Sequence, residues 1–202
     1  PLVYAGRDGK PDRYGMFFSV WKRQRDGSFK VVLDVGSDTP SAVVPIDEPP
    51  HSSWRAGQGR PGGVDVAAEN AALLAAESAF LAVATAESLG RAYDARLADD
   101  ARVHRPGAMP VVGRVALNEW ANAQSGKLRG EALFADVARS GELGYTWGSY
   151  EGIGDAREAG YFSRVWKKNE RNAWRIVMDT VSPVPAGVKP LTAELMRAEE
   201  PY

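Results

Sequence analysis

Residues 160–179 read GYFSRVWKKNERNAWRIVMD, and residues 15–34 carry the same pattern as GMFFSVWKRQRDGSFKVVLD. The two stretches align without a gap at a constant offset of 145 and share seven of twenty positions. The identities are Gly15 with Gly160, Phe17 with Phe162, Val20 with Val165, Trp21 with Trp166, Lys22 with Lys167, Val32 with Val177 and Asp34 with Asp179. Unrelated stretches of average usage share about one position in twenty. Phe29 with Trp174 and Lys30 with Arg175 are conservative matches, and Ser37 with Ser182 and Pro40 with Pro185 keep the offset beyond the stretch. An internal repeat of this kind marks an architectural unit. Each copy reads as a hairpin: Met16 to Lys22, a turn through Asp26-Gly27, then Phe29 to Val35; and Tyr161 to Lys167, a turn near Asn172, then Trp174 to Val181. Asp-Gly is a turn signal, and the flanking β-branched and aromatic residues favour strands.

Working outward, the second hairpin is preceded by about 95 residues, starting near Ala67, that have no counterpart ahead of the first. The expected organisation is therefore the closing hairpin of a truncated first repeat over 1–40, a linker over 41–64, a complete domain over 65–183, and a tail over 184–202 with a short helix, Leu191 to Glu199. Pro45, Pro49, Pro50 and Pro61 with Gly57, Gly59, Gly62 and Gly63 give the linker its composition, semi-rigid in its Pro half and loose in its Gly half.

Within the complete unit, Asp65 is placed to N-cap a long helix from Val66 to about Leu89, with Gly90 as its stop. Leu73, Ala76, Phe80 and Val83 recur at spacings of three and four and mark its buried face, whereas Glu69, Glu77 and Glu87 fall mostly elsewhere. A short helix from Arg91 to Leu97 carries Tyr93; a short strand covers Ala101 to Arg105, and Pro106-Gly107 and Pro110 make a loop. A third helix runs from Val115 to Gln124, and strands at Ala132 to Ser140 and Leu143 to Tyr150 lead into the repeated hairpin. Helices first and sequentially paired strands afterwards make this an α+β unit closing on a four-strand antiparallel meander.

Three segments carry a family resemblance: His104-Arg105-Pro106-Gly107 to Val112-Gly113-Arg114; Ser140-Gly141-Glu142-Leu143-Gly144-Tyr145-Thr146-Trp147-Gly148; and Gly160 to Lys168 with Trp174 to Asp179. Together they resemble the SnoaL-like and unknown-function branches of the nuclear transport factor 2-like superfamily, which includes ketosteroid isomerase. The resemblance covers roughly Ala67 to Pro183 in full and Tyr14 to Pro40 as a partial copy. It implies a cystatin-like, cone-shaped fold: a curved antiparallel sheet wrapped round a long N-terminal helix, enclosing a pocket and commonly dimerising through the sheet.

Composition narrows the partners. Lys and Arg number 25 against 26 for Asp and Glu, so no basic field exists to hold a phosphate backbone, and nucleic acid is not expected. The absence of cysteine removes disulfides, thiolate metal sites and cysteine nucleophiles, while leaving the compartment open between cytoplasm and periplasm. The longest apolar run, Ala71 to Ala86, is interrupted by Glu77 and Ser78, so no membrane insertion is expected.

Candidate chemistry rests on few residues. Tyr93 could donate its hydroxyl into the cavity as an acid, or cap the core. His104, the sole histidine of the complete unit, suits a general base titrating near neutrality, or an exposed strand end. A single histidine does not make a zinc site, so no metal and no cofactor is expected. Asp136 interrupts an apolar strand and alternates with Leu133, Ala135 and Val137; it is either a base of raised pKa or a solvent-facing carboxylate. Asp34 and Asp179 read as structural, the latter facing Arg164 or Lys167 across strands. Three functions are open. One is a small apolar or amphipathic molecule held among Tyr93, His104, Trp120, Tyr145, Trp147 and Tyr161. Another is an isomerase, cyclase or dehydratase using His104 or Asp136 as base with Tyr93 as acid. The last is a pseudo-dimeric scaffold with a vestigial pocket. The partner expected from the fold is a second copy, as a homodimer, or the missing first repeat, as a pseudo-dimer.

Overall fold

The structure, a computed structural model, describes residues 2–4, 13–42, 64–153 and 158–194. Most of the expected linker, and the tail helix beyond Glu194, lie outside the described residues. Twelve elements follow one another: β1 (Leu2–Tyr4), β2 (Arg13–Arg23), β3 (Phe29–Thr39), α1 (Val66–Ala86), α2 (Leu89–Arg96), β4 (Leu97–His104), β5 (Val111–Val112), α3 (Arg114–Asn122), β6 (Lys127–Val137), β7 (Leu143–Ile153), β8 (Ala159–Lys168) and β9 (Trp174–Pro183). The class is α+β, as expected. Strands β6 to β9 form the antiparallel meander, and the sheet runs on through β4 and β5 in the order β5-β4-β9-β8-β7-β6. The pairing of β4 with β9 is parallel; β5, α3 and the strands β6 to β8 lie between the two in sequence, a connection long enough to return the chain in the same direction.

Asp65 caps α1 as its side chain accepts from the backbone N–H groups of Ala67 (3.0 Å) and Ala68 (3.1 Å). The C-terminal boundary differs from expectation: α1 ends at Ala86, and Ser88 starts α2 by accepting from the Arg91 N–H. Gly90 is therefore not a helix stop. A Cβ there would stand 2.4 Å from the Ala121 carbonyl oxygen, so the residue is small because α3 crosses directly above it. By length and composition α1 is long and apolar enough to cross a bilayer, with a mean hydropathy of 1.4; here it packs against β6 and β7 through Leu73, Phe80, Leu81 and Ala84.

Register shifts between Ala132 and Phe134 and between Val165 and Trp166 interrupt the ladders. Such bulges bend the strand that carries them, which curves the sheet round the helices. The core lies in that hollow: Leu73, Phe80, Tyr93, Phe162, Trp166 and Ile176 are all essentially removed from solvent.

β2 and β3, with β1 at their edge, form a separate three-stranded sheet. The β2–β3 ribbon reproduces β8–β9 at the offset found in sequence. Ser19 pairs with Asp34 as Arg164 pairs with Asp179, and Trp21 pairs with Val31 as Trp166 pairs with Ile176. The bulge falls between Val20 and Trp21 in one ribbon and between Val165 and Trp166 in the other. The turns agree as well. Gly27 (φ 85°) and Asn172 (φ 59°) occupy the same left-handed position, for which Gly and Asn are the residues of least strain. The ribbon rests against the elements from β4 to β9. Lys22 Nζ is 2.5 Å from Asp136 Oδ2, the Gly107 N–H donates to the Asp38 carbonyl (2.9 Å), and a cavity of about 240 Å³ separates Met16 and Ser37 from Pro106, Val181 and Ser182.

Candidate functional site

Alternation along β7, β8 and β9 sends Thr146, Tyr150, Phe162, Arg164, Trp166, Ile176 and Asp179 into the hollow and their neighbours outward. α1 supplies Glu77 and Phe80 from above, α2 supplies Tyr93, and the end of β4 supplies Arg105. These side chains make one ionic cluster. Arg164 sits centrally, with its Nη1 on Glu77 Oε1 and its Nε 2.5 Å from Asp179 Oδ2. Its guanidinium is sandwiched between the rings of Phe80 (4.2 Å) and Phe162 (4.3 Å). Asp179 takes a second cation, Arg105, at 2.7 Å, and Arg105 also donates to the Tyr93 hydroxyl (2.6 Å) and stacks over Trp120 (5.0 Å). The second Glu77 oxygen accepts from Thr146 Oγ1 (2.7 Å) and from the Trp166 indole N–H (3.2 Å).

Two carboxylates face two guanidiniums, so the cluster is formally neutral, and each carboxylate has several donors. Both conditions are needed for buried charge to be tolerated. Burial pushes the Asp179 carboxyl up, but Arg105 and Arg164 outweigh it and hold the group below the ordinary carboxylate range. Burial raises Glu77, and Arg164 and Thr146 only partly offset that. The Tyr93 hydroxyl is raised by burial as well and keeps its proton. Arg105 alone reaches water, its side chain being 21% exposed against 1% for Arg164, so the cluster opens to solvent at that one residue.

The residues singled out from sequence fall on two sides of the sheet. Tyr93 lies inside, in ring contact with Phe80 (5.0 Å) and Trp120 (4.8 Å). Tyr145, Trp147 and Tyr161 alternate with the inward residues and face out; Phe134 stands by Tyr145 (5.7 Å) and Trp147 (6.5 Å), and the Tyr161 hydroxyl accepts from the Leu191 N–H (2.9 Å). Asp136 also faces out and is tied to Lys22. His104 follows the inward Val103 on β4 and pairs with Thr180, so it too lies on the outer side; it is buried, and its Nε2 has no hydrogen-bond partner. Burial, helped by Arg102 and Arg105 and opposed by Asp179, lowers its pKa to about 4, and it is neutral at physiological pH. Tyr93 is thus not brought together with His104 and Asp136.

Sequence reading missed Glu77 and Arg105. Glu77 had a signal: it stands four residues after Leu73 and four before Leu81, on the buried stripe. Arg105 had none, because an arginine before Pro-Gly reads as a loop residue. A groove of about 760 Å³ beyond the other end of the helices, lined by Glu69, Asp94, Asp99, Arg114, Lys168 and Arg175 among others, holds none of the predicted residues. Among the described residues no group of three or more His, Asp or Glu side chains is gathered as a metal ion would need.

No protein-family model matches the chain, and no curated protein does. Solved structures similar to it include a ketosteroid isomerase-like protein from Erwinia carotovora atroseptica, at 18% identity and a TM-score of 0.47 over 58% of this chain and 97% of that one. An NTF2-like protein from Cytophaga hutchinsonii has 14% identity and a TM-score of 0.45 over 55% of this chain and 95% of its own. A domain of unknown function with a cystatin-like fold from Nostoc punctiforme has 15% identity and a TM-score of 0.46, over 65% and 83%. The solved structures this chain is similar to are thus described as ketosteroid isomerase-like, NTF2-like and cystatin-like.

Proposed function

We propose that the complete unit is a non-catalytic scaffold whose hollow is closed by its own side chains and whose outer sheet face holds other elements. The observation that carries this reading is the ionic cluster: Glu77, Arg164 and Asp179 occupy the space between helix and sheet where a ligand would otherwise lie, and every charge there is matched. In this reading the cluster fills an otherwise apolar hollow, with Phe80 and Phe162 packed on either side of Arg164. An acid–base role for Tyr93, His104 and Asp136 draws no support from their separation across the sheet.

A second reading, a small-molecule site at the mouth of the cone, is favoured by Arg105. Its guanidinium is partly exposed, is stacked on Trp120 and adjoins Tyr93, so a small amphipathic molecule with an anionic group would find both a donor and an aromatic wall. Of the six residues expected to bind ligand, Tyr93 and Trp120 belong to such a site.

Thermal unfolding with a panel of small molecules (a sterol, a bile acid, an aromatic carboxylic acid) separates the two. A scaffold shows no rise in Tm with any of them, and gains binding only when Phe80→Ala opens the interior. A saturable rise in the intact protein, abolished by Arg105→Ala, overturns the scaffold in favour of the mouth site.

A further inference from the structure

We propose that the outward face of the β2–β3 ribbon is a docking site for an amphipathic α-helix that covers it as α1 and α2 cover β8–β9, and that presents a basic side chain to Asp34. The site stands whether or not the cone takes a small ligand, because it uses none of the same residues.

The ribbon has two unlike faces. Tyr14, Met16, Phe18 and Val20 pair with Thr39, Ser37, Val35 and Leu33, and all are buried or half-buried. The opposite face carries Phe17, Ser19, Trp21 and Arg23, paired with Gly36, Asp34, Val31 and Phe29. In β8–β9 the corresponding residues are Phe162, Arg164, Trp166 and Lys168 with Val181, Asp179, Ile176 and Trp174, which is the face turned into the hollow. Among the described residues, the face that lines the cone in one ribbon is thus exposed in the other. Phe17, Trp21 and Phe29 are 47%, 59% and 60% exposed, where Phe162, Trp166 and Trp174 are 1%, 0% and 5% exposed. Contiguous exposed aromatics on a sheet face mark an interaction surface.

What covers such a face is shown within the same chain. α1 and α2 meet β8–β9 through Glu77 on Arg164 and Trp166, Phe80 under Arg164, Glu69 on Lys168, and Tyr93 on Asp179. An 11-residue strand is about 36 Å long at about 3.3 Å per residue, and a 21-residue helix about 30 Å, so a helix of this length can span most of a ribbon.

Charge sets the helix's chemistry. Asp179 has Arg164 beside it, whereas the equivalent Asp34 has Ser19, whose hydroxyl donates at 2.6 Å. A hydroxyl does not neutralise a carboxylate that is about to be buried, so the occupant must bring the cation. α1 carries Glu77 at the facing position and would bring a second carboxylate, which disfavours a swapped α1 from a second copy. The fitting partner has small apolar residues along one face and Lys or Arg where α1 has Glu77.

The test uses the full chain and two synthetic peptides of residues 65–88, one unaltered and one with Glu77→Arg. The Glu77→Arg peptide is expected to bind, gaining helical circular dichroism and shifting tryptophan emission to the blue, and to bind about tenfold more tightly than the unaltered one. Trp21→Ala and Phe29→Ser, both at exposed positions, should abolish binding without moving the Tm, and Asp34→Asn should erase the preference between peptides. No binding of either peptide overturns the proposal. So does binding that survives Trp21→Ala, and so does concentration-dependent self-association lost in Trp21→Ala, which would make a second copy the occupant.

Discussion

The β2–β3 and β8–β9 ribbons share register, bulge position, turn conformation and the division of residues between faces, yet Trp166 is fully buried and Trp21 is largely exposed. The contrast teaches which part of a hairpin is local. Strand pairing follows from the tight turn, the left-handed turn residue and the alternation of side chains, all written within twenty residues. Burial follows from what lies above, and only β8–β9 has α1 and α2. The same substitution made at paired positions in the two ribbons therefore separates backbone contributions from tertiary ones.

The largest contrast is expected at the centre of the cluster. Arg164→Ala leaves Glu77 and Asp179 buried without their shared cation and should cost about 3–5 kcal/mol in urea unfolding, while Ser19→Ala at the matching position should stay within about 0.5 kcal/mol. Equal effects would mean that the ionic cluster does not hold the cone. Next come the aromatics. Phe162→Ala should cost about 3–4 kcal/mol through loss of packing and the cavity it leaves, and Phe17→Ala close to nothing; a costly Phe17→Ala would show the bare face to be covered already.

The third contrast lies on the outer side, at His104. Its folded pKa of about 4 lies below the ordinary 6.5, so between those values the unfolded chain binds more protons than the folded one. Stability is therefore fully present above pH 6.5 and falls as pH drops towards 4. Asp179, whose carboxyl is held low, adds a further loss only below the ordinary carboxylate range, as pH falls through its folded pKa. Unfolding free energies measured from pH 7 to pH 4 should slope in the native protein and flatten in His104→Gln; an unchanged slope would move the titration elsewhere. The smallest effect is expected at Lys22→Met, which removes an exposed pair with Asp136 and should cost less than about 1 kcal/mol. Its readout is amide exchange in β2, which should quicken while β8 is unaffected.

Much of the fold could be read from local signals. The Asp65 cap, the Asp-Gly turn, the four-strand meander and the identity of the repeated ribbon each depend on residues within one or two turns or strands of each other. The ending of α1 is not legible locally: Gly90 has the pattern of a helix stop, but its smallness answers to α3, more than thirty residues downstream. The site was less legible. Cross-strand pairing alone predicts Asp179 facing Arg164, but Glu77 reads as a wet-face residue because a carboxylate is normally solvated, and its burial depends on a guanidinium 87 residues away. Tyr145, Trp147 and Tyr161 read as pocket walls in the sequence because composition shows aromatic wealth without showing which side of a sheet each ring takes.

By itself the sequence determined the class and the order of most elements, since caps, turns and periodicities are properties of neighbouring residues, and the chain laid on itself shows two ribbons of one pattern. Only the tertiary structure decided that the hollow is filled by matched charges, that His104 and Asp136 lie on the far side of the sheet from Tyr93, and that one ribbon's inner face stands bare. Those outcomes depend on which distant groups meet. A charge can be buried only where its counter-charge arrives, and no local pattern records the meeting.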